Sequence, residues 1–199
     1  MAEARPVRPE DLPAMGRSLG RAFSDDPVLT HLSPKSPAWV DRATGFFTAA
    51  ARHRMRQGPG CVWTVDGVHG GAVWAPPGQW KETPAAMARA MPAALNLFRG
   101  RILVALGFLS TMEKAHPRAP EHWYLAILGT DPDHQGTGVG SALLAPVLER
   151  CDAEGTPAYL ESSKLSNVAF YARHGFEERE TLVIDGGPTM YPMWREPRG

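Results

Sequence analysis

The stretch Glu121-His-Trp-Tyr-Leu-Ala-Ile-Leu-Gly-Thr-Asp-Pro-Asp-His-Gln-Gly-Thr-Gly-Val-Gly-Ser-Ala-Leu-Leu144 decides the fold. Its first part, His122 to Thr130, is a near-continuous apolar run of the kind a central strand carries when both faces are covered. Glycines follow at 136, 138 and 140, and then a helix is predicted from about Gly138 to Ala153. Leu143, Leu144, Val147, Leu148 and Cys151 would pin that helix to the sheet. Pro146 is out of place there, since an interior proline removes a helix hydrogen bond. Glycines between a buried strand and a helix allow positive φ and let an anion approach without Cβ atoms in its way. Successive amides can then converge on it at the positive end of the helix dipole. A Walker A loop is excluded, because Gly140 is followed by Ser141-Ala142 with no lysine. A dinucleotide fingerprint is excluded because the sixth position is Ser141 counted from Gly136, or Leu143 counted from Gly138. A turn without a ligand remains the alternative, although three alternating glycines add backbone entropy to be lost on folding.

Working outward, Ala158 to Ser162 reads as the next strand, and Val168 to His174 as a helix closed by Gly175. Glu180–Asp185 and Met190–Trp194 read as a final antiparallel pair. Upstream, Val7–Asp11 ends a first strand and opens a helix with Leu12, Met15, Leu19, Ala22 and Phe23 at helical spacing. That helix should stop near Ser24-Asp25-Asp26-Pro27. A second runs from about Pro37 to Met55, with Trp39, Ala43, Phe46, Phe47 and Ala50 inward. Gly60–Asp66 and Gly71–Ala75 form a hairpin about Gly67. Residues 84–114 are helical, interrupted by Pro92 and Gly100. With no repeat or linker, one α/β domain is expected.

The 199 residues are 43% hydrophobic, enough for one globular core. Basic and acidic side chains balance at 21 each, so no electrostatic footprint for nucleic acid or an anionic membrane is present. Cys61 and Cys151 form no CxxC or Cys/His cluster, which disfavours a disulfide scaffold or a structural zinc and suits two buried thiols in a reducing cytosol. The N-terminus lacks the apolar core of a signal peptide. Ile102–Leu109 is too short to span a bilayer and, bracketed by Arg99, Arg101 and Glu113, is expected as a buried helix. A cytoplasmic protein with a small-molecule or protein partner is expected, with no nucleic acid and no membrane.

The pattern Gln-x-x-Gly-x-Gly at 135–140 resembles the pyrophosphate loop of the GNAT superfamily of acyl-CoA N-acyltransferases. The likeness runs from about Glu121 to Phe176. It takes in Ala158-Tyr-Leu-Glu-Ser-Ser163 as the family's fifth strand and Asn167-Val-Ala-Phe-Tyr-Ala-Arg-His-Gly-Phe176 as its fourth helix. Within the family the chain is most similar to the puromycin N-acetyltransferase group, which Asp25-Asp26-Pro27 and Gly186-Gly187-Pro188…Met193-Trp194-Arg195 also suggest. The resemblance implies a single α/β (α+β) domain over 1–199. Its mixed, mostly antiparallel sheet would have about seven strands flanked by helices and splayed between strands four and five. Residues 1–120 would form the acceptor side and 121–199 the acetyl-CoA side.

It also implies roles. Leu128, Gly129 and Thr130 would offer main-chain hydrogen bonds to pantetheine, in the manner of an added strand; a bulge at Gly129 is a compatible reading. Gln135 and the backbone of Gly136, Thr137, Gly138, Val139, Gly140 and Ser141 would hold the pyrophosphate. Asn167 would contact the pantetheine arm or cap its helix; the commoner family asparagine, seven residues before the tyrosine, is Lys164 here. Tyr171 would be the catalytic acid that protonates the departing thiolate. Glu161 is the candidate base for the acceptor ammonium, or else a structural carboxylate. His134 would be solvent-exposed and His174 a helix C-terminal cation. Trp39, Trp74, Trp80 and Met91 could wall the acceptor pocket, and Asp25 and Asp26 could attract a cationic amine.

The function implied is acetyl transfer from acetyl-CoA, without a metal, to a primary amine of a small molecule, an aminonucleoside antibiotic among the options. A protein or peptide amine and a non-catalytic acyl-CoA-binding regulator are the alternatives. A homodimer is left open.

Overall fold

The computed structural model describes residues 2–198. The strands are β1 (Ala4–Pro6), β2 (Val62–Val65), β3 (Gly70–Ala75), β4 (Trp123–Thr130), β5 (Ala158–Ser162), β6 (Glu177–Glu178), β7 (Leu182–Val183) and β8 (Thr189–Arg195). The helices are α1 (Leu12–Ala22), α2 (Pro27–Leu32), α3 (Trp39–Met55), α4 (Pro84–Phe98), α5 (Ile102–Ala115), α6 (Val139–Glu154) and α7 (Val168–Arg173). One mixed sheet runs β1-β2-β3-β4-β5-β8-β6, with β7 paired to β8. It has eight strands rather than about seven. The pairing of β4 with β5 is parallel, and the other pairings are antiparallel.

Helices cover both faces. Leu12, Met15 and Leu19 of α1 pack with Ala43 and Phe47 of α3 and Val73 of β3 in one core. Leu143, Leu144, Val147, Leu148 and Cys151 of α6 pack with Trp74, Trp123, Leu125 and Leu160 in the other. Each buried Leu or Val contributes about 1.5–3 kcal/mol of transfer free energy. Pro146 does not end α6; its missing N–H leaves the Ala142 carbonyl without its usual helix donor. Both cysteines are free and buried.

A bulge in β4 shapes the centre of the molecule. Val73 faces Ile127 and Trp74 faces Leu125, so Ala126 is the extra residue. An extra residue inverts the two-residue alternation of side chains. Trp123 and Leu125 accordingly point to the α6 core, whereas Ile127 joins the α1 core. The sequence pointed to Gly129 for this irregularity. Gly129 is needed instead for packing: a Cβ there would lie 2.8 Å from Leu19, 3.0 Å from Phe23 and 3.2 Å from Ala22.

α5 is not a buried helix. Only Ala105 is buried, and Leu103, Val104 and Leu109 are exposed. By length and composition Pro84–Ala115 is apolar enough to cross a membrane. The span bends at Arg99, which takes φ 50° and ψ −128°, so α4 and α5 do not form one straight helix.

The C-terminal strand is tied down by charge. Arg195, with its side chain 3% exposed, holds both Asp152 carboxylate oxygens at 2.8 and 2.7 Å. Asp152→Ala would leave that guanidinium buried and unpaired. Water reaches the carboxylate side, so the expected loss is at the low end for a broken buried pair, about 3 kcal/mol. Urea unfolding measures it; a loss below about 1 kcal/mol would contradict the pairing.

Candidate active site

The site lies where the parallel strands part. β4 and β5 pair only over Trp123–Leu125 and Ala158–Leu160, and from Ala126 to Thr130 β4 has no β5 partner. The opening is a cavity of about 740 Å³. Of the predicted site residues all but Thr137 line it: Leu128, Gly129, Thr130, Gln135, Gly136, Gly138, Val139, Gly140, Ser141, Asn167, Glu161 and Tyr171. The Thr137 hydroxyl instead donates to the His134 carbonyl at 2.6 Å, bracing the turn from outside.

In the turn, Gly136 and Gly138 take φ +74° and +87°, where only glycine is unstrained. A Cβ at either would meet no protein atom within 4 Å, so the space beside this backbone is open to a ligand. Gly140 is different, since a Cβ there would sit 3.2 Å from the Phe170 ring. The Gln135 amide donates to the Thr130 carbonyl at 3.4 Å and spans the turn. Ser141 Oγ lies 3.0 Å from His174 Nε2. Glycines, exposed amides and the start of a 16-residue helix fit the pyrophosphate of acetyl-CoA. The unpaired edge of β4 fits a pantetheine amide chain.

Tyr171 and Glu161 reach this gap from opposite faces of the sheet. Leu160 shares the α6-side core with Tyr171, so Glu161, next along β5, points to the other face. Burial first, and then the charge of Asp26, push the Tyr171 phenol well above its usual value. It therefore stays protonated throughout the neutral range, as a proton donor must. Asn167 starts α7 without a side-chain cap bond, so the capping role is not realised and its amide is free at the cavity wall.

The Glu161 side chain is 4% exposed. His116 Nδ1 lies 3.5 Å from its Oε1. The His116 ring stacks on Trp80, centroids 3.9 Å apart, and its Nε2 lies 3.0 Å from His122 Nε2. Trp80 is positioned by Arg54, whose guanidinium donates to the Gln79 and Trp80 carbonyls. The Tyr124 and Tyr159 phenols are both raised, by burial first and then by the Glu161 carboxylate.

Several expectations are corrected. Asp25 and Asp26 do line the cavity, and both are also engaged within the protein. Asp26 caps α2 through Leu29 N–H at 2.9 Å and accepts a short hydrogen bond from Ser163, while Asp25 pairs with Lys164 at 2.6 Å. They clasp α2 to the end of β5. The tryptophan wall does not assemble: Trp39 and Trp74 sit in opposite cores, and only Trp80 reaches the Glu161 cluster. His134 is half-buried and stacked on His69, centroids 3.6 Å apart. His174 is no helix-end cation. Burial, then Arg173, Arg195 and Arg198, hold it below the usual imidazole value. Sequence reasoning missed Lys164, Phe170 and Arg173 on the cavity wall and His116 beside Glu161. Nothing local in the sequence around His116 marks it, because the chain turns it toward β5 only after α5 has ended.

His122, like His174, is lowered, chiefly by burial. Below the ordinary imidazole value of about 6.5 the unfolded chain binds protons that the folded chain does not. Their contribution is complete above pH ~6.5 and is lost as pH falls below it. The melting temperature should therefore begin to decline near pH 6.5, less steeply in His174→Gln. A flat profile between pH 7.5 and 5 would contradict this. Asp11 and Asp152, held low by Arg5 and Arg195, add a separate loss below about pH 4.

Residues 98–178 match the family model described as acetyltransferase (GNAT) domain. An uncharacterized N-acetyltransferase of Schizosaccharomyces pombe is 36% identical over 83 residues, 40% of this chain and 34% of the relative. The chain thus spans about a third of the length of that curated relative. Among solved structures, a Corynebacterium glutamicum protein described as histone acetyltransferase HPA2 and related acetyltransferase superposes with a TM-score of 0.71 at 22% identity, covering 100% of this chain and 97% of its own. The Drosophila melanogaster polyamine N-acetyltransferase gives 0.66 at 16% identity, over 98% and 100% of the two chains. The chain has the GNAT fold, and its residues 98–178 match the sequence model of the GNAT acetyltransferase domain.

Proposed function

We propose that the protein is an acetyl-CoA-dependent N-acetyltransferase that moves an acetyl group to a primary amine within a ternary complex. The observation that carries this reading is the placement of Glu161 and Tyr171 on one cavity from opposite faces of the sheet. An amine deprotonated at Glu161 attacks the thioester carbonyl between the strands, and Tyr171 protonates the sulfur as it leaves on the other side. Amides at the free edge of β4 hold and polarise the carbonyl. Alignment of the two substrates supplies much of the remaining rate.

A small-molecule amine is the acceptor class we favour, aminonucleosides included. A buried carboxylate among Tyr124, Tyr159 and Trp80 suits a compact cation more than an extended chain. The Drosophila protein of this fold is a polyamine N-acetyltransferase, which is in keeping with a cationic acceptor. Incubation with acetyl-CoA and a panel of free amines and peptides, read by free thiol and product mass, tests the proposal. Thiol release with small primary amines supports it. Turnover of peptides alone shifts the acceptor class, and tight acetyl-CoA binding without thiol release across the panel would leave a regulator in its place.

A further inference from the structure

Acetyl transfer to an ammonium removes two protons from one nitrogen. The first must leave before attack, and the second leaves the tetrahedral adduct. The balance is R–NH3+ plus CH3CO–S–CoA giving R–NH–COCH3, HS–CoA and H+. A single buried carboxylate holds one proton. A place for the other is present beside Glu161.

The hydrogen-bond polarity of the two histidines follows from one fixed partner. His122 Nδ1 lies 2.8 Å from the Pro120 carbonyl, which can only accept, so Nδ1 carries the hydrogen. His122 is buried and neutral, so its Nε2 is bare and accepts the His116 Nε2–H at 3.0 Å. In neutral His116 the remaining nitrogen, Nδ1, is then a bare acceptor, and it faces Glu161 Oε1 at 3.5 Å. Stacking on Trp80 holds the ring in that plane. With His116 in that form, two acceptors face each other with a place for one proton between them.

We propose that Glu161 and His116 form a two-proton acceptor, in which Glu161 takes the ammonium proton, passes it to His116 Nδ1, and is free to take the second. This rests on the transfer reading above. In order, an ammonium N–H is transferred to Glu161 and on to His116 Nδ1, giving an imidazolium beside a carboxylate. The neutral amine forms the C–N bond; the adduct's second N–H proton goes to Glu161 as the C–S bond breaks and Tyr171 protonates the sulfur. Of the two protons then held, one restores Tyr171 and one leaves to solvent, which closes the balance. The groups facing His116 are Glu161 and Tyr159 from β5, His122 and Tyr124 from β4, and the Trp80 ring. Arg54 of α3, itself paired with Glu82, donates to the Trp80 carbonyl.

The test compares two acceptors at saturating acetyl-CoA, an alkylamine that is an ammonium at neutral pH and a weakly basic amine that arrives unprotonated. His116→Phe keeps an aromatic ring against Trp80 but offers no nitrogen. Its kcat/KM should fall about 10²-fold with the alkylamine, and at least about tenfold less with the weak base. The alkylamine deficit should shrink as pH rises and the free amine becomes available. An equal loss with both amines, or no loss with the alkylamine, overturns the relay while leaving acetyl transfer intact. A wild-type protein that turns over neither amine overturns the transfer reading and the relay with it. Nitrogen-15 NMR of the wild-type protein adds a measurement independent of folding in the variant. Protonated His116 Nε2 with bare Nδ1 is expected at rest, and the reverse tautomer would overturn the proposal.

Discussion

Tyr171→Phe is expected to lower turnover about 10²- to 10³-fold while acetyl-CoA affinity stays within about twofold. The phenol is buried and raised well above its usual value, so it stays protonated at working pH, and in the proposed reaction it serves as the proton donor. A phenylalanine ring keeps the contacts with Phe170 and Phe176, whose ring centroids lie 5.2 and 6.0 Å away. The fold should therefore be kept, and the effect should lie in kcat. Single-turnover thiol release at saturating substrates measures it. Unchanged turnover would remove Tyr171 from the reaction; a parallel fall in acetyl-CoA affinity would make it a binding residue.

Gly138→Val is expected to weaken acetyl-CoA binding at least about tenfold and to lower stability by about 1–3 kcal/mol. Gly138 sits at φ +87° and ψ 0°, immediately before α6, a conformation costly for a β-branched residue. Its missing Cβ opens onto no protein atom, so a valine intrudes on the ligand and not on the core. Gly155→Ala serves as the control. Gly155 also has positive φ and an open surround, but it ends α6 far from the cavity, so stability should fall without loss of binding. Calorimetric titration with acetyl-CoA separates the two. Equal affinity in Gly138→Val and the native protein would dissociate the turn from the ligand.

What could be read from the sequence was local. β4, the glycine turn and α6 follow one another in the chain, and each is set by its own pattern: an apolar run, positive-φ glycines, then helical spacing. That Tyr171 and Glu161 share one cavity was expected from the resemblance to the GNAT family, not from these local patterns. The features the sequence concealed depend on partners far along the chain. The bulge is set by the register of β3 against β4 and falls at Ala126 rather than Gly129. The two-residue strand Glu177–Glu178 is held by β8 and has no apolar signature. Apolar composition gives α5 no address, and the run expected in the core lies largely on the surface. Asp25 and Asp26 looked free for a ligand because Ser163 and Lys164, their partners, are more than a hundred residues away.

The central claim is that acetyl-CoA lies in the gap where β4 leaves β5, with its pyrophosphate on the glycine turn. Backbone hydrogen exchange with and without acetyl-CoA tests that claim most directly, since it reports amide by amide. Slowed exchange is predicted at the unpaired part of β4, 126–130, and at the turn, 136–141, in the same titration. Protection confined to other segments, or none at saturating acetyl-CoA, would contradict it.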